Sequence, residues 1–436
     1  MPTGFGYGHC GRSMAWQYSR RAAVLQPRFL RPSFPRIAAL LTASLLSPLA
    51  VRGGEWPQIL GPHRNGQADN ETIAAAFPSQ GPPVVWQRDV GAGNAGVAVA
   101  QGRAILFHHP KDADVVESLD AATGAVKWTN SFANRSEGPA CTPLIDGQRI
   151  FLVGNDGGLR CVAFDTGKVL WSRDLLKEFH APAGYFGVGS SPVVEGDNLL
   201  MNVGGDSGAG IVAFALKDGT TVWKTGNEQA SYSSPVVVGP KQARQAIFVT
   251  RLNLISLDPA TGQVQFTFPF GKRGPTVNAA TPIVVDDHLF LTANYGIGAV
   301  WAKFTGTSAK TIWENDDSLS SQYPTPVFFD GYLYGVHGRD DVGVAELRCI
   351  DPTDGKMQWA ERDFGMATLL IADKKLLIQR TDGELIIAEP SPKAYRPLAK
   401  AKLLDGLTRA LPALCDGKYY VRDTKTLKCV DLSPTK

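Results

Sequence analysis

Two short motifs carry residue types that could bind a cofactor or a metal. Gly91-Ala-Gly93-Asn-Ala-Gly96 has the spacing of a dinucleotide-binding loop, which needs a helix after it so that the pyrophosphate meets the helix N-terminus. The residues that follow, Val97 to Gly102, predict a strand and a turn instead. His108 and His109 are adjacent on a predicted strand end, so their side chains point apart, and two ligands are too few for a metal. We therefore predict an ordinary loop at the first motif and no metal site at the second.

A third motif could do nucleophilic chemistry. Gly205-Asp206-Ser207-Gly208 resembles the nucleophile segment of trypsin-like proteases. A Ser nucleophile needs a His base and an Asp that orients it. The His and Asp motifs of that family are missing from the sequence. We therefore predict a loop between strands here, and no catalytic residue.

The elements that would position these residues follow from a repeat of about 45 residues. Five copies run from an apolar strand into a turn of the type Asp-x-x-Thr-Gly and then into a strand that carries an aromatic residue four positions after the Gly. The turn glycines are Gly124, Gly167, Gly219, Gly262 and Gly355. Their spacings are 43, 52, 43 and 93 residues, and the last gap holds a degenerate copy that ends at Trp313. Short polar side chains and a Gly with positive φ are typical of a β-hairpin turn.

A second hairpin precedes most of these and begins with Ser-Pro or Thr-Pro. The prolines are Pro143, Pro192, Pro235, Pro282 and Pro326. Proline suits the first residue of a strand, where no ladder donor is needed. Two hairpins in each repeat predict a four-stranded antiparallel sheet, and sheets that repeat every 40–50 residues are the blades of a β-propeller.

The closing aromatic strands give the number of blades. The aromatic residues are Trp86, Trp128, Trp171, Trp223, Phe266, Trp313 and Trp359, and a weaker eighth copy lies at 395–399. The tail, from Leu411 to Asp431, has three strands, whereas the strand at Val84–Val90 has no partners of its own. We therefore predict an all-β, eight-bladed propeller, with seven blades as the alternative, closed by pairing the tail with the head.

The seven aromatic residues are predicted to dock each blade onto its neighbour, because a buried indole supplies a large apolar area. The cysteines fit a structural role as well. Cys161, Cys349 and Cys429 occupy a repeat position that is Ser or Ala in other copies, which indicates a small buried side chain rather than a disulfide.

The first 50 residues differ from the rest in charge. They hold six Arg and no Asp, Glu or Lys, so the remainder of the chain carries a net charge of −3 although the whole chain carries +3. A mildly acidic body gives no electrostatic reason to bind nucleic acid. The arginines precede the apolar run Ile37–Ala50, which is short for a membrane span. We predict a signal peptide over 1–50 with cleavage near 50–53, a lead-in segment over 51–83 and the propeller over 84–436.

The repeat resembles that of pyrroloquinoline-quinone (PQQ) type propellers. The resemblance rests on Leu119-Asp-Ala-Ala-Thr-Gly124 with Trp128 and on its copies, and the lead-in Trp56-Pro-Gln58 with Gly61-Pro-His-Arg-Asn-Gly66 is similar to the start of exported family members of unassigned function. The family includes quinoprotein alcohol and glucose dehydrogenases and the propeller lipoprotein of the outer-membrane β-barrel assembly machinery. For the dehydrogenases, the resemblance implies PQQ beside a Ca²⁺ held by carboxylate and Asn, and often a disulfide between adjacent cysteines. This chain has no Cys-Cys pair, and we match no such ligand set onto it by motif.

The loops between blades and the loops between the second and third strands of each blade should share one face of the propeller, which we call the loop face. Aromatic, Arg and His side chains on loops suit the binding of a ligand or protein. The candidate binding residues are Asn94, Arg135, Glu137, His180, Tyr185, Asp206, Asn227, Tyr232, Arg251, Tyr295, Tyr323, His337 and Arg339. The longest insertion, Asp174–Gly189, is predicted to form a lid or docking knob on this face.

These observations favour an exported, monomeric, non-catalytic propeller, in the periplasm or outside the cell. Its loop face would bind an envelope protein or a small ligand, as in outer-membrane protein assembly, and it would need no cofactor. The alternative is a PQQ-dependent dehydrogenase that oxidises an alcohol or a sugar.

Overall fold

The computed structural model describes residues 53–134 and 136–434, so the predicted signal peptide and Arg135 lie outside the described residues. The described chain forms eight four-stranded antiparallel sheets. The all-β prediction and the count of eight blades are confirmed, and the seven-bladed alternative is wrong. No described helix has the length and apolar character needed to cross a membrane.

Seven blades take four consecutive strands each, and the eighth joins the two ends of the described chain. Blade 1 contains β2 (Ala98–Ala100), β3 (Arg103–His108), β4 (Ala113–Asp120) and β5 (Val126–Ala133). Blade 2 contains β6 (Leu144–Asp146), β7 (Arg149–Val153), β8 (Gly158–Ala163) and β9 (Val169–Asp174). Blade 3 contains β10 (Val193–Glu195), β11 (Asn198–Asn202), β12 (Ile211–Ala215) and β13 (Thr221–Thr225). Blade 4 contains β14 (Val236–Val238), β15 (Gln245–Val249), β16 (Asn253–Leu257) and β17 (Val264–Pro269).

The second half of the chain follows the same order. Blade 5 contains β18 (Ile283–Val285), β19 (His288–Ala293), β20 (Gly298–Phe304) and β21 (Ala309–Asn315). Blade 6 contains β22 (Val327–Phe329), β23 (Tyr332–Arg339), β24 (Val344–Ile350) and β25 (Met357–Glu361). Blade 7 contains β26 (Ala367–Ala372), β27 (Lys375–Arg380), β28 (Glu384–Glu389) and β29 (Arg396–Lys402). Blade 8 contains β30 (Ala413–Cys415), β31 (Lys418–Arg422), β32 (Thr426–Asp431) and β1 (Val84–Asp89). A short α-helix, α1 (Leu175–Phe179), and a 3₁₀ turn (Asp340–Val342) lie in loops.

The ring closes where β1 pairs with β32, with Trp86 opposite Cys429 and Asp89 opposite Thr426. The predicted pairing of tail with head is therefore confirmed. This pairing removes the open edge that β32 would otherwise present.

The hairpin turns have the geometry that the repeat predicts. Asp120 accepts hydrogen bonds at Oδ1 from the backbone N–H groups of Ala122 (3.2 Å) and Thr123 (3.1 Å). Gly124 then adopts a φ of 71°. The last strand of each blade also contains a β-bulge beside its aromatic position, as between Ser118 and Leu119 in the pairing of β4 with β5. The repeat does not signal this bulge.

The short first strands face the central axis, and in several neighbouring pairs of blades they contact each other. Here the Ser/Thr-Pro motif has a second role. The hydroxyl of one blade accepts a hydrogen bond from the backbone N–H that enters the previous blade, as in Ser191 N to Ser234 Oγ (2.9 Å) and Thr281 N to Thr325 Oγ1 (2.9 Å). These bonds connect neighbouring blades around the axis. The hydrophobic core is divided into clusters that lie between adjacent blades.

Candidate functional site

The lead-in segment crosses the central axis of the propeller. Trp56 pairs with Val99 of blade 1, whereas Gln67 pairs with Ile371 of blade 7. Between them, the Arg64 guanidinium donates from Nη1 to Pro192 O (2.8 Å) and from Nη2 to Ser191 O (3.0 Å), at the entry of blade 3. Blades 3 and 7 lie on opposite sides of an eight-membered ring. The lead-in and the Arg64 side chain together therefore span the axis.

Arg64 is buried in this crossing, with 3% of its surface exposed. Its partners are backbone carbonyls and the side-chain oxygen of Gln58 (2.9 Å), and none of them is a carboxylate. Burial lowers its pKa to about 9. Arg64 holds the lead-in against blade 3 through both Nη atoms, while its Nε is buried without a hydrogen-bond partner within the described chain.

A quinone beside Ca²⁺, as the family resemblance implies for the dehydrogenases, would need space on the axis and several oxygen ligands. The lead-in contacts blades on both sides of the axis. Within 53–134 and 136–434, no three His, Cys, Asp or Glu side chains are grouped so that they could hold a metal ion.

The loop face is where most of the candidate binding residues lie. Asn94, Glu137, His180, Tyr185, Asp206, Asn227, Tyr232, Arg251, Tyr295 and Tyr323 are in loops between blades or between second and third strands, and His337 and Arg339 end β23. The structure does not bring all of them to one place. It brings together two groups, which we call the cavity cluster (Tyr185, Tyr232 and Arg251) and the blade 6 cluster (Tyr295, Tyr323, His337 and Arg339).

The cavity cluster lines a cavity of about 780 Å³ above blades 3 and 4. Arg251 donates to Thr276 Oγ1 (2.7 Å), Lys272 O (3.0 Å) and Gly274 O (2.6 Å), and so fixes the loop that precedes blade 5. Tyr232 accepts a hydrogen bond at its hydroxyl from the backbone N–H of Phe186 (2.9 Å). Burial raises the pKa of Tyr232. Arg251 and Tyr232 each belong to one wall of the cavity.

The insertion after β9 forms the rim of this cavity. It begins with α1, which sequence analysis did not predict. Asp174 accepts from Lys177 N (3.0 Å), and Glu178 accepts at Oε1 from Asp174 N (2.9 Å), a reciprocal cap that resembles a capping box. The pair Asp174 and Glu178 was the signal that could have found this helix. Beyond it, Tyr185 and Phe186 are 73% and 69% exposed, and the Phe186 ring packs on Tyr232 at 5.8 Å between centroids.

His180 and Asp206 meet beside the insertion. His180 Nδ1 lies 3.4 Å from Asp206 Oδ1, and both side chains are exposed. Asn227 accepts from Gly208 N (2.8 Å) in the same loop. The Gly205–Gly208 motif is a loop between β11 and β12, as predicted, and within the described chain no hydrogen bond joins Ser207 to His180. The arrangement therefore lacks the nucleophile–base contact of a serine protease.

The blade 6 cluster is held by charge pairing. Arg339 stacks on the Tyr295 ring at 4.3 Å and donates from Nε to Asp341 Oδ1 (3.0 Å), which raises its pKa. His337 Nδ1 accepts from Ser320 N (3.0 Å), and burial lowers the pKa of this imidazole. Tyr323 is partly buried, and its pKa rises to about 12 for the same reason. The Tyr323 hydroxyl is buried without a hydrogen-bond partner within the described chain.

Asn94 and Glu137 are exposed at the junction of blades 8, 1 and 2, apart from both clusters. Asn94 N donates to Pro139 O (2.9 Å) there. The Gly91–Gly96 motif is part of the same loop, between β1 and β2, as predicted. A binding role for Asn94 and Glu137 stays a prediction.

The two adjacent histidines face different partners. His108 Nδ1 accepts from Gly91 N (2.8 Å), while its Nε2 lies 3.5 Å from Glu117 Oε2. His109 Nδ1 lies 2.8 Å from Asp114 Oδ1. Burial, together with the guanidinium of Arg422, lowers the pKa of His108 to about 3, so it is neutral near pH 7. The polar partners Glu117, Asp114 and Arg422 come from other strands, and no local pattern revealed them.

Comparison with known proteins places the chain among propellers of one family. A family model described as outer membrane protein assembly factor BamB matches residues 69–223 and 157–361. BamB of Yersinia pestis is 23% identical over 347 residues, which cover 72% of this chain and 79% of that protein. BamB of Xanthomonas campestris pv. campestris is 27% identical over 206 residues, which cover 45% of this chain and 47% of that protein.

Solved structures agree on the fold. BamB from Moraxella catarrhalis superimposes with a TM-score of 0.61 at 16% identity, covering 80% of this chain and 99% of that one. A europium-containing methanol dehydrogenase superimposes with a TM-score of 0.64 at 14% identity, covering 84% of this chain and 89% of that one. At such identities the likeness shows the shared propeller and nothing of its activity. The family model, in contrast, matches well over half of the chain, and this chain therefore belongs to the PQQ-like β-propeller family that includes BamB.

Proposed function

We propose that this protein is an exported, non-catalytic propeller of the cell envelope that assists outer-membrane protein assembly by binding a partner on its loop face. The observation that carries the proposal is the match of residues 69–361 to the BamB family model. The exposed aromatic pair Tyr185 and Phe186 supports it, because large apolar side chains held out from a fixed loop suit partner binding. In this proposal residues 1–50 are a leader that export removes, which N-terminal sequencing of the mature protein tests.

The experiment compares the double variant Tyr185→Ala/Phe186→Ala with wild type in the organism that encodes the chain, after deletion of the chromosomal copy. We expect deletion to reduce the amount of folded outer-membrane β-barrel protein, measured by heat-modifiable gel mobility. Wild type should restore it and the double variant should not. The matched control is Met357→Ala/Leu398→Ala, which removes two apolar side chains of similar exposure (52% and 45%) from outer strands of blades 6 and 7. Unchanged barrel levels on deletion would refute the proposal.

The dehydrogenase alternative is tested separately on the purified chain with PQQ and Ca²⁺. Because the lead-in spans the axis and Arg64 is held by carbonyls, we expect no stoichiometric uptake by absorbance or calorimetry. Tight uptake with dye-linked alcohol oxidation would favour the enzyme instead.

A further inference from the structure

The cavity above blades 3 and 4 has the size of a small-molecule site. Its volume of about 780 Å³ lies within the range of ligand pockets, roughly 300–1,000 Å³. The rim from Pro182 to Gly189 covers one side, and the loop from Gly274 to Asn278 covers the other. It is off the axis, so the lead-in segment does not fill it.

Two buried asparagines that line the cavity have one unused acceptor each. Asn202 and Asn278 are both 1% exposed. Asn202 donates from Nδ2 to Val249 O (3.2 Å), and Asn278 donates from Nδ2 to Thr250 O (2.9 Å), so both amides are oriented by carbonyls at the end of β15. Both Oδ1 atoms lack a hydrogen-bond partner within the described chain. A buried amide oxygen without a donor is unfavourable, and a ligand O–H or N–H would satisfy it.

The donors at the floor of the cavity are already in use, whereas Gln229 and Tyr185 are exposed at its rim. Arg251 donates to two carbonyls and to Thr276 Oγ1, and Thr276 Oγ1 in turn donates to Lys272 O (2.7 Å). Ser231 Oγ donates to Val249 O. At the buried floor of the cavity, free acceptors therefore outnumber free donors. A peptide presents as many carbonyls as N–H groups, and its carbonyls would stay unpaired here, whereas a hydroxyl can rotate to donate.

The charge and shape of the lining narrow the ligand class further. No Asp, Glu, Lys or His belongs to the lining formed by the described residues, and Arg251, its one cation, is occupied as above. A charged ligand would thus lose its hydration on entering the cavity and would find no counter-ion there. Tyr232 and Tyr185 add aromatic rings beside the polar floor. Amphipathic rings of this kind suit a ligand with both apolar C–H faces and hydroxyl edges.

We propose that this cavity binds a neutral saccharide, with Asn202 and Asn278 accepting hydrogen bonds from sugar hydroxyls and Tyr232 packing against a sugar ring. The rim of this cavity also carries Tyr185 and Phe186, to which the proposed function assigns partner binding, but the two proposals are tested separately. Saccharide binding is measured on the purified chain and assembly is measured in cells, so one can fail while the other holds.

The test is calorimetric titration of the purified full-length chain with three neutral probes: maltotriose, cellotriose and N,N′-diacetylchitobiose. We expect at least one to saturate with a Kd of about 1 mM or tighter. The charged relatives, the free-amine chitobiose and digalacturonate, should bind at least about tenfold more weakly. Asn202→Ala should raise the Kd of the best-binding probe about fivefold to tenfold, which is the effect expected when one hydrogen bond to the ligand is lost.

Because a buried Asn variant can misfold, Val277→Trp serves as the second variant. Val277 lines the cavity and is partly buried, so an indole there fills the space and leaves both asparagines intact. We expect binding to be lost in Val277→Trp and unchanged in Leu398→Trp, which adds the same ring on an outer strand. The assignment is overturned by no saturable binding of any neutral probe, by equal binding in Val277→Trp, or by tighter binding of an N-acetylated, C-amidated tripeptide than of every sugar.

Discussion

At the scale of single residues, the position opposite each closing aromatic explains the cysteines. Cys161 lies opposite Trp171, Cys349 opposite Trp359 and Cys429 opposite Trp86 across the strand pair. Ala213 occupies the same place opposite Trp223. A small side chain opposite the indole thus recurs in several blades, whereas blade 5 places Trp301 opposite Trp313. In blade 7 the small side chain is on the last strand and the large one is opposite it, since Ala399 lies opposite Ile387.

The first prediction concerns these thiols. All five described cysteines are free and buried, and burial raises the pKa of Cys141, Cys161, Cys349, Cys415 and Cys429 to about 12. Because the thiolate is the reactive form, we expect none of them to react with Ellman's reagent in the native protein. All five should react in guanidinium chloride. Rapid labelling of any of them in the native protein would contradict the burial.

The second prediction concerns His108. It is surrounded by the Gly91 N–H, the guanidinium groups of Arg88 and Arg422, and Glu117. Its pKa falls from 6.5 to about 3 on folding. Between these values the unfolded chain binds one more proton than the folded chain. The free energy of unfolding should therefore fall as the pH drops from 6.5, by about 1.4 kcal/mol per pH unit from this group.

The measurement is urea unfolding at several pH values between 4.5 and 6.5. His108→Gln should lower the dependence of the unfolding free energy on pH by about that slope. An equal slope in wild type and His108→Gln would show that His108 is not the responsible group.

At the scale of the elements, each turn glycine receives the indole of the preceding blade. Trp171 Nε1 donates to Leu216 O (3.1 Å), and a Cβ built at Gly219 would lie 2.6 Å from Trp171 Cε3. The same contact joins Trp128 to Gly167 and Trp223 to Gly262. Only Gly permits both the positive φ and this close approach. The docking role of the aromatics remains a prediction, and these contacts are what it requires.

The third prediction tests that role with two matched glycines. Gly219 and Gly102 have φ values of 72° and 71°, but a Cβ at Gly102 would meet nothing within 4 Å. Gly102→Ala should therefore lose about 1 kcal/mol of stability through backbone strain alone. Gly219→Ala should lose about 2 kcal/mol more, because the indole must move. Urea unfolding measures both, and equal losses would mean that the indole contact contributes little.

The elements that repeat could be predicted from the sequence, and those that do not repeat could not. Hairpins, blade count and ring closure follow from spacing, since the Asp-x-x-Thr-Gly turn and the following Trp recur in register. The lead-in crossing has no period, and its anchors, such as Arg64 to Ser191, join residues far apart in the chain. The cavity likewise depends on loops whose shape is set by contacts like Arg251 to Gly274. That the candidate residues form one binding face stays a prediction, and the sequence did not indicate which of them would meet.

At the scale of the whole molecule, two separate contacts of the N-terminal part stabilise the ring. β1 completes blade 8 beside β32. The lead-in spans the axis, and Glu71 accepts from the backbone N–H groups of Asp416 (2.9 Å) and Gly417 (2.7 Å) in the same blade. One contact covers a strand edge and the other spans the axis, so they can be separated experimentally.

The last prediction separates them with two chains that both lack the lead-in. The truncated chain starts at Gly91 and ends at Pro434, so that β32 keeps an open edge. The permuted chain has the same start but continues from Asp431 through the turn Asp165-Thr-Gly167-Lys168 into Val84–Asp89, which restores β1 beside β32. We expect the truncated chain to associate through this edge and to melt at least about 10 °C below the permuted chain. Light scattering and calorimetry measure both effects. If the two chains behave alike, the pairing of β1 with β32 contributes little to closing the ring.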